Sequence, residues 1–531
     1  MKDNSLRFLW HYVDMWAEKD PGLTALRDSR GSCSWGELKK RTENLARAFI
    51  SMGIGKGDTI ATMLPTSMEY IFTLIAADRI GAIICALDVK YKTSDLRRFI
   101  SHIEPAMVIA VEMSDDFDVA GALEKVDSEL GHNTGIHYVF TGDNPRGTGF
   151  NSLLNGSYET DRELNISQEN QDLDDGMLTV FTGGTTGIPK AALLTKQNVA
   201  RMAKLEADVL GRYTPGRIKA LACMPTSHVG GTVEMIAAPI THGYELILHE
   251  NWSPERVLET TEKERLTYIG GVPTMYAITM LLPGLDKYDL SSLKVAILSG
   301  EKVEMDLLNM ISEKICPAIV IGYGSTEAGS EIAFTEVGDD FRDLVDGYVG
   351  KPLPGVEVRI VDDEGRDLSA GEKGEILVRG PLTIKNYFRM PEEDRAGFAG
   401  NGWCLTGDLG YQDDNGGLWI KGRKKHIIRV GSYTVMPSEV EDVILRTGTA
   451  GMAAVIGVPD SVYGEVVWAV VQAMPGTLAD EEKIIEKCKE ELAGFKVPRR
   501  VIFRDSLPVT RIGKVHRVQI QNEIIESIKN S

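Results

Sequence analysis

Cysteine is scarce in this chain, and its spacing builds nothing. Six occur in 531 residues, at Cys33, Cys85, Cys223, Cys316, Cys404 and Cys488, with no C-x-x-C step among them. Neither a disulfide framework nor a zinc site is suggested. Long apolar runs are missing too. The opening MKDNSLRFLWHYVDMW has no uninterrupted apolar core of the signal-peptide kind. The most apolar region, 70–89, is broken by Asp78 and Arg79, so a buried helix and strand fit it better than a membrane span. Positive charge is in deficit. With 58 basic and 77 acidic side chains the net charge is −19, which argues against nucleic acid or an anionic membrane as partner. No internal repeat of fixed period is visible. A cytoplasmic protein with no stable membrane insertion is the expectation.

What is present is a globular composition, 43% hydrophobic and 25% charged, in a chain long enough for two or more domains. Residues 34–50 carry a helical stripe at Leu38, Leu45, Ala46, Phe49 and Ile50, with Ser34 as cap. A strand at 59–64, a helix at 67–80 and a strand at 82–87 then give a βαβ rhythm, followed by strands at 107–111 and 137–140. The polar stretch 144–175 reads as surface loop. Further strands are expected at 219–224, 245–248, 266–270, 295–298 and 318–321. Most end in glycine- or hydroxyl-bearing loops, as expected of an open parallel sheet that binds ligand at the carboxyl ends of its strands. From Gly347 the pattern changes to short strands between Pro, Gly and Asp turns. Gly422–Lys425 is the candidate linker. Beyond it, helices at 437–445 and 480–492 and strands at 452–457 and 465–471 suggest a compact α+β unit, which ends in the loop LPVTRIGKVHR.

The most informative stretch is LTVFTGGTTGIPKAALLTKQN, 178–198. A short buried strand runs into Thr182, Gly183, Gly184, Thr185, Thr186 and Gly187, then Pro189 and Lys190. Glycines let the backbone turn N–H groups toward an anion, and hydroxyls and an ammonium add donors suited to phosphate. The spacing is not Walker A, which needs Gly-Lys-Ser/Thr opening directly into a helix. Alone, such a turn could be a plain flexible loop. Four more stretches stand beside it: GYGSTEAG (322–329), LTGDLG (405–410) with Arg423 fifteen positions after Asp408, RVGSYTVMPSEVED (429–442), and PVTRIGK ending at Lys514.

Taken together and in this order, these strings resemble the adenylate-forming superfamily of acyl-CoA synthetases, luciferases and non-ribosomal peptide adenylation domains. The resemblance spans nearly the whole chain and is strongest to acyl-CoA synthetases. Gly183 stands where the family commonly has Ser, and Ala191 where it has Gly. The implied fold is α/β: an N-terminal domain, 1–422, of two doubly wound subdomains plus a small β-barrel-like subdomain at about 347–422. A hinge at 423–426 and a small mobile α+β C-terminal domain, 427–531, follow.

The resemblance also implies roles. Residues 182–187 and Lys190 hold ATP phosphates. Tyr323, between Gly322 and Gly324, stacks near adenine, Thr326 bonds the α-phosphate, and Glu327 helps hold Mg²⁺. Asp408 and Arg423 bind ribose, and the loop Ser299, Gly300, Glu301 and Lys302 faces adenine. Lys514 bridges the attacking carboxylate and the α-phosphate. His228 gates the acid pocket, whose neighbours Val229, Gly230, Gly231, Val272 and Thr274 are small and apolar, suiting an acyl or aryl tail and not a charged amino-acid side chain. Arg429, Gly431, Ser432 and Tyr433 line the CoA channel, with Ser432 in place of a second glycine. Lys425 and His426 form the hinge, where His426 replaces the common Asp and is expected to make domain motion pH-sensitive. The implied reactants are a small-molecule carboxylic acid, ATP with Mg²⁺, and CoA. A stand-alone enzyme that loads a carrier protein is the alternative.

Overall fold

The computed structural model describes residues 6–131, 135–142, 146–182, 189–216, 218–424, 428–430, 433–460, 463–474, 476–477, 480–492, 494–509 and 515–529. A large N-terminal α/β domain is followed by a smaller α+β domain. The N-terminal domain is organised on a seven-stranded sheet, in the order Lys190–Thr195, Gly176–Thr182, Ile83–Ala86, Thr59–Met63, Met107–Val111, His137–Thr141 and Thr148–Gly149. All neighbours are parallel except the first two, which form a hairpin. Thr59–Met63 and Ile83–Ala86 are buried along their whole length. Continuous burial of this kind is why their sequences read as apolar runs and not as alternation.

Local chemistry fixes the helix starts. Ser34 caps Trp35–Ser51 with a complete capping box to Glu37, and Ser67 caps Met68–Ile80. The second of these helices is buried on nearly every side, which explains its long apolar run. Asp78 and Arg79 do not reach solvent from it. Asp78 pairs with Lys196 and accepts from the Trp10 amide at 3.0 Å, while Arg79 pairs with Asp14.

A second sheet is parallel across Tyr268–Gly271, Val295–Ser299 and Ile319–Ser325, and continues antiparallel through Ser330–Phe334 to Lys351–Pro352. Two expected members lie elsewhere. Lys219–Ala222 and Glu245–Leu248 pair with each other and with an N-terminal hairpin, Thr24–Asp28 and Gly31–Ser34. Their parallel pairing looks alike in sequence whichever sheet they join. The β-rich region is a five-stranded antiparallel sheet that includes Glu357–Val361, Gly374–Arg379, Trp403–Gln412 and Leu418–Arg423.

Three expectations are corrected. The stretch 144–175 holds two helices, Phe150–Asn155 and Asp161–Glu169, because Phe150, Leu153, Leu154 and Leu164 find core to cover. Gly422 and Arg423 are not linker turn but the last residues of a strand. The end of the chain is not loop either. Arg517–Lys529 is a helix whose Ile520 and Ile524 cover the sheet face of Ile456 and Val470.

In the C-terminal domain Ala450–Asp460 and Gly464–Ala473 form a long hairpin, with Arg500–Arg504 parallel on its edge. Helices Pro437–Leu445 and Glu481–Glu491 supply Val440, Ile444, Ile484 and Cys488 to the opposite face. No helix among the described residues is long and apolar enough to cross a membrane.

Candidate active site

The hairpin of the first sheet closes at the register pair Thr182 and Lys190. Gly183, Gly184, Thr185, Thr186 and Gly187 lie between them, outside the described residues. The flanks of this turn meet a short 3₁₀ turn, Thr326–Ala328, from the second sheet. Thr182 Oγ1 lies 3.4 Å from Glu327 Oε1, and the Tyr387 hydroxyl donates to the same oxygen at 3.1 Å. The Lys190 ammonium sits 4.9 Å over the Tyr387 ring. The Glu327 turn is held from both sides. Ser325 Oγ accepts from the Ala328 amide at 3.2 Å, and the Ile384 amide donates to the Glu327 carbonyl at 2.9 Å. Gly324 is required here, since a Cβ would lie 1.7 Å from the Ser330 carbonyl oxygen. Gly329 closes the turn at φ +82°, a conformation that favours glycine.

A second group lies on the neighbouring strands. The Tyr323 hydroxyl donates to Asp408 Oδ2 at 2.8 Å, and Arg423 Nε lies 2.7 Å from Asp408 Oδ1. Asp408 and Arg423 are direct register partners on antiparallel strands, so fifteen residues of sequence become one cross-strand pair. The Asp408 carboxylate is almost sealed from solvent, with only 4% of its side chain exposed. Burial, and then the Asp408 charge, push the Tyr323 phenol well above its ordinary range, so it stays a neutral donor. A carboxylate braced by an arginine and a phenol is a ready acceptor for two vicinal hydroxyls.

The third group surrounds the expected acid pocket. His228 precedes a π-helix, Gly230–Ala237, and Gly231 is needed there because a Cβ would fall 2.1 Å from the Pro225 carbonyl oxygen. Val272 caps the helix Pro273–Met280. Thr274 donates to Glu301 at 2.9 Å. Beside these small, apolar neighbours stand acidic side chains that the sequence reading did not place there. Ser299 Oγ bonds Glu331, and Ser330 Oγ bonds Glu234. A Cβ on Gly230 would lie 3.6 Å from Glu234 Oε2. Glu206, on the helix Lys196–Tyr213, completes a trio of carboxylates, its pKa pushed well up by burial and then by Glu234 and Glu331. The three come from elements far apart in sequence, so no motif announced them. A signal existed in two of them, a lone Glu among small and apolar residues in GTVEMIA and SEIAF, whereas Glu206 in AKLEADVL stands between Lys204 and Asp208 like any helix-surface charge.

Lys302 pairs with Asp442 of the C-terminal domain. Arg429 and Tyr433 lie on the strands Ile428–Val430 and Tyr433–Val435, in which Val430 opposes Tyr433. Gly431, Ser432, the hinge residues Lys425 and His426, and Lys514 lie outside the described residues. Val509 and Val515 bridge across the segment that carries Lys514. Sequence reading missed Tyr387 and the three glutamates.

The chain is similar to known proteins over nearly its whole length. The AMP-binding enzyme family model matches residues 13–388, and the model of the AMP-binding enzyme C-terminal domain matches 439–514. The indoleacetate–CoA ligase of Aromatoleum aromaticum is 29% identical over 515 residues, covering 97% of both chains. A long-chain-fatty-acid–CoA ligase of Bacillus subtilis is 29% identical over 528 residues, covering 96% of this chain and 93% of the relative. Among solved structures, ATP-bound MatB from Rhodopseudomonas palustris superposes with a TM-score of 0.87 at 28% identity, covering 98% of this chain and all of that one, 100%.

Proposed function

Because the chain belongs to the AMP-binding enzyme family and is an AMP-forming acyl-CoA synthetase, we propose that it converts a carboxylic acid to its CoA thioester in two half-reactions. In the first, a carboxylate oxygen attacks the α-phosphorus of ATP, the bond to pyrophosphate breaks, and acyl-AMP forms. In the second, the thiolate of CoA attacks the acyl carbon, the C–O bond to phosphate breaks, and AMP leaves. No cysteine of the protein takes part.

The observation that carries this reading is the Asp408 carboxylate held between Tyr323 and Arg423, beside the Glu327 turn at the mouth of the Thr182–Lys190 hairpin. Asp408 accepts the ribose hydroxyls and Arg423 reinforces it. Tyr323 lies against adenine, with 300–302 at its edge. Residues 182–187, Lys190 and Thr326 donate to the phosphates, and Lys514 neutralises charge that develops between the attacking carboxylate and the α-phosphate. Glu327 with the Thr182 and Tyr387 hydroxyls is an all-oxygen donor set suited to Mg²⁺. Among the described residues no cluster of three or more His, Cys, Asp or Glu could hold a metal. Bound at Glu327, Mg²⁺ would offset the phosphate charge that repels the incoming carboxylate.

The domain boundary belongs to the same reading. The C-terminal domain turns about 423–426 between half-reactions, withdrawing Lys514 and bringing 429–436 to the site, with His228 and Val229 at the entrance for the acid.

The test is AMP release from ATP over a panel of short, medium and aromatic acids, each with and without CoA. CoA-dependent AMP and thioester formation with one group is the expected outcome. Pyrophosphate exchange that CoA does not carry to thioester would replace CoA by another acceptor, such as a carrier protein. Absence of exchange with every acid would overturn the adenylation reading.

A further inference from the structure

The three carboxylates beside the residues expected to line the acid pocket, Gly230 and Ser299, are not needed for either half-reaction. Glu206 and Glu331 are 6% and 3% exposed, and Glu234 is partly buried beside Gly230. Serine hydroxyls meet two of them, Ser330 on Glu234 and Ser299 on Glu331. Glu206 Oε2 is buried and has no hydrogen-bond partner among the described residues. What acts on Glu206 is its own burial and the other two carboxylates, with no cation among the described residues that act on it. Burial dominates at Glu234, eased by Ser330. Tyr268 adds a neutral phenol whose pKa Glu206 helps to raise.

Buried acceptors of this kind are costly unless a donor reaches them, and a cation satisfies them best. Apolar side chains stand beside the neighbouring glycines. Met224 lies against Gly230 and Met275 against Gly271. A hydrocarbon tail would pass the methionines comfortably and then end on three carboxylates, stripping their remaining solvation.

We propose that the acid activated by this enzyme carries a basic nitrogen remote from its carboxylate, received by Glu206, Glu234 and Glu331. The inference rests on the ligase reading above and names the substrate class of that same pocket. The apolar stem runs past Met224 and Met275, and an N–H donor reaches Glu206 Oε2, which no described residue bonds. Binding involves no bond making or breaking. Any proton held within the trio in the empty pocket returns to solvent when the cation arrives.

The test uses acids that differ only in a terminal methyl or ammonium group: heptanoate against 6-aminohexanoate, and 4-ethylbenzoate against 4-(aminomethyl)benzoate. Each is assayed on the full chain by pyrophosphate exchange and by AMP release with CoA. The amino member of at least one pair is expected to exceed its methyl partner 100-fold or more in kcat/KM. Glu206→Gln and Glu234→Gln, both close in shape to the native side chain, should each cut that ratio at least tenfold by raising KM for the amino acid. Turnover of the methyl member equal to or above the amino member in both pairs would overturn the inference and leave the ligase reading standing. A ratio unmoved in both variants would also overturn it. If neither member of either pair supports exchange, the adenylation reading has failed for these acids, and calorimetry with hexylamine against hexanol decides the inference alone. Binding of the amine to the wild type, weakened tenfold in Glu206→Gln, supports it. Equal or absent binding of the two overturns it.

Discussion

Asp408 shows how much one side chain can set. It is nearly sealed from water, yet both its oxygens are occupied by groups of the site, Tyr323 and Arg423. Asp408→Asn keeps the volume but removes the charge and half of the acceptor capacity. A charge-assisted hydrogen bond lost from a buried site costs about 1.5–3 kcal/mol, so KM for ATP should rise roughly tenfold to a hundredfold. Unchanged ATP saturation kinetics would remove Asp408 from the ribose role. A different residue governs acid stability. His249 is buried, bonded through Nε2 to Thr260 at 3.1 Å, and its pKa is pushed down to about 4 by burial and then by Arg256. The unfolded chain titrates this side chain near 6.5, so the neutral form is favoured on folding. That contribution is complete above pH 6.5 and is lost as pH falls from 6.5 toward 4. By linkage it amounts to about 2 kcal/mol by pH 5. Denaturant unfolding of wild type and His249→Gln should therefore diverge at neutral pH and converge in that window. Parallel curves at all pH values would refute the assignment.

At the scale of elements, Gly324 is the tightest point of the site. The strand Ile319–Ser325 turns through Glu327 and returns as Ser330–Phe334, and the two are so close that Gly324 faces the Ser330 carbonyl with no room for a methyl group. Gly324→Ala must push backbone from backbone, a cost of about 1–3 kcal/mol or more. It displaces Tyr323, Glu327 and Glu331 together. A lower Tm with at least a tenfold loss in kcat/KM for ATP is expected, and full activity at an unchanged Tm would contradict it. The site's motifs were legible in sequence because each is one contiguous segment: Gly322–Gly329 and Leu405–Gly410 could be read without knowing the fold. The strand Trp403–Gln412 was harder to see, because Gly407 takes φ +71° inside it and a bulge follows Leu409, which together break the two-residue alternation. The helices at 150–155 and 161–169 were hidden by their polar composition, and only three-dimensional packing shows where their few apolar side chains go. The carboxylate trio was illegible for a related reason. Its members come from a helix, a π-helix and a strand, and nothing in any one segment says that they converge.

On the scale of the whole molecule, the two domains keep separate cores. The apolar clusters of the C-terminal domain draw only on its own residues, from Ile428 to Ile524. Polar contacts between described residues join it to the larger domain near the boundary: Lys302 with Asp442, and Ser438 Oγ donating to the Lys421 carbonyl at 3.1 Å. A small polar contact between two complete cores permits relative motion, as a two-step reaction with an exchanging lid requires. Two predictions follow at this level and differ in kind. Lys514→Ala removes a group proposed to act only in adenylation, so pyrophosphate exchange should fall at least a hundredfold while ATP binding, and thioester formation from supplied acyl-AMP, persist. Full exchange in that variant would refute the role. Asp442→Asn touches no reacting atom. It removes a partly exposed ion pair, worth at most about 1 kcal/mol, that is made in this arrangement of the domains. Only a contact that differs between two states can shift their balance, and by no more than that difference. The ratio of pyrophosphate exchange to thioester formation should therefore move by up to about fivefold, the factor that 1 kcal/mol permits, with no change in Tm beyond a degree or two. If both half-reactions change equally, the Lys302–Asp442 pair persists through the motion, and the bias between the two arrangements must come from the hinge.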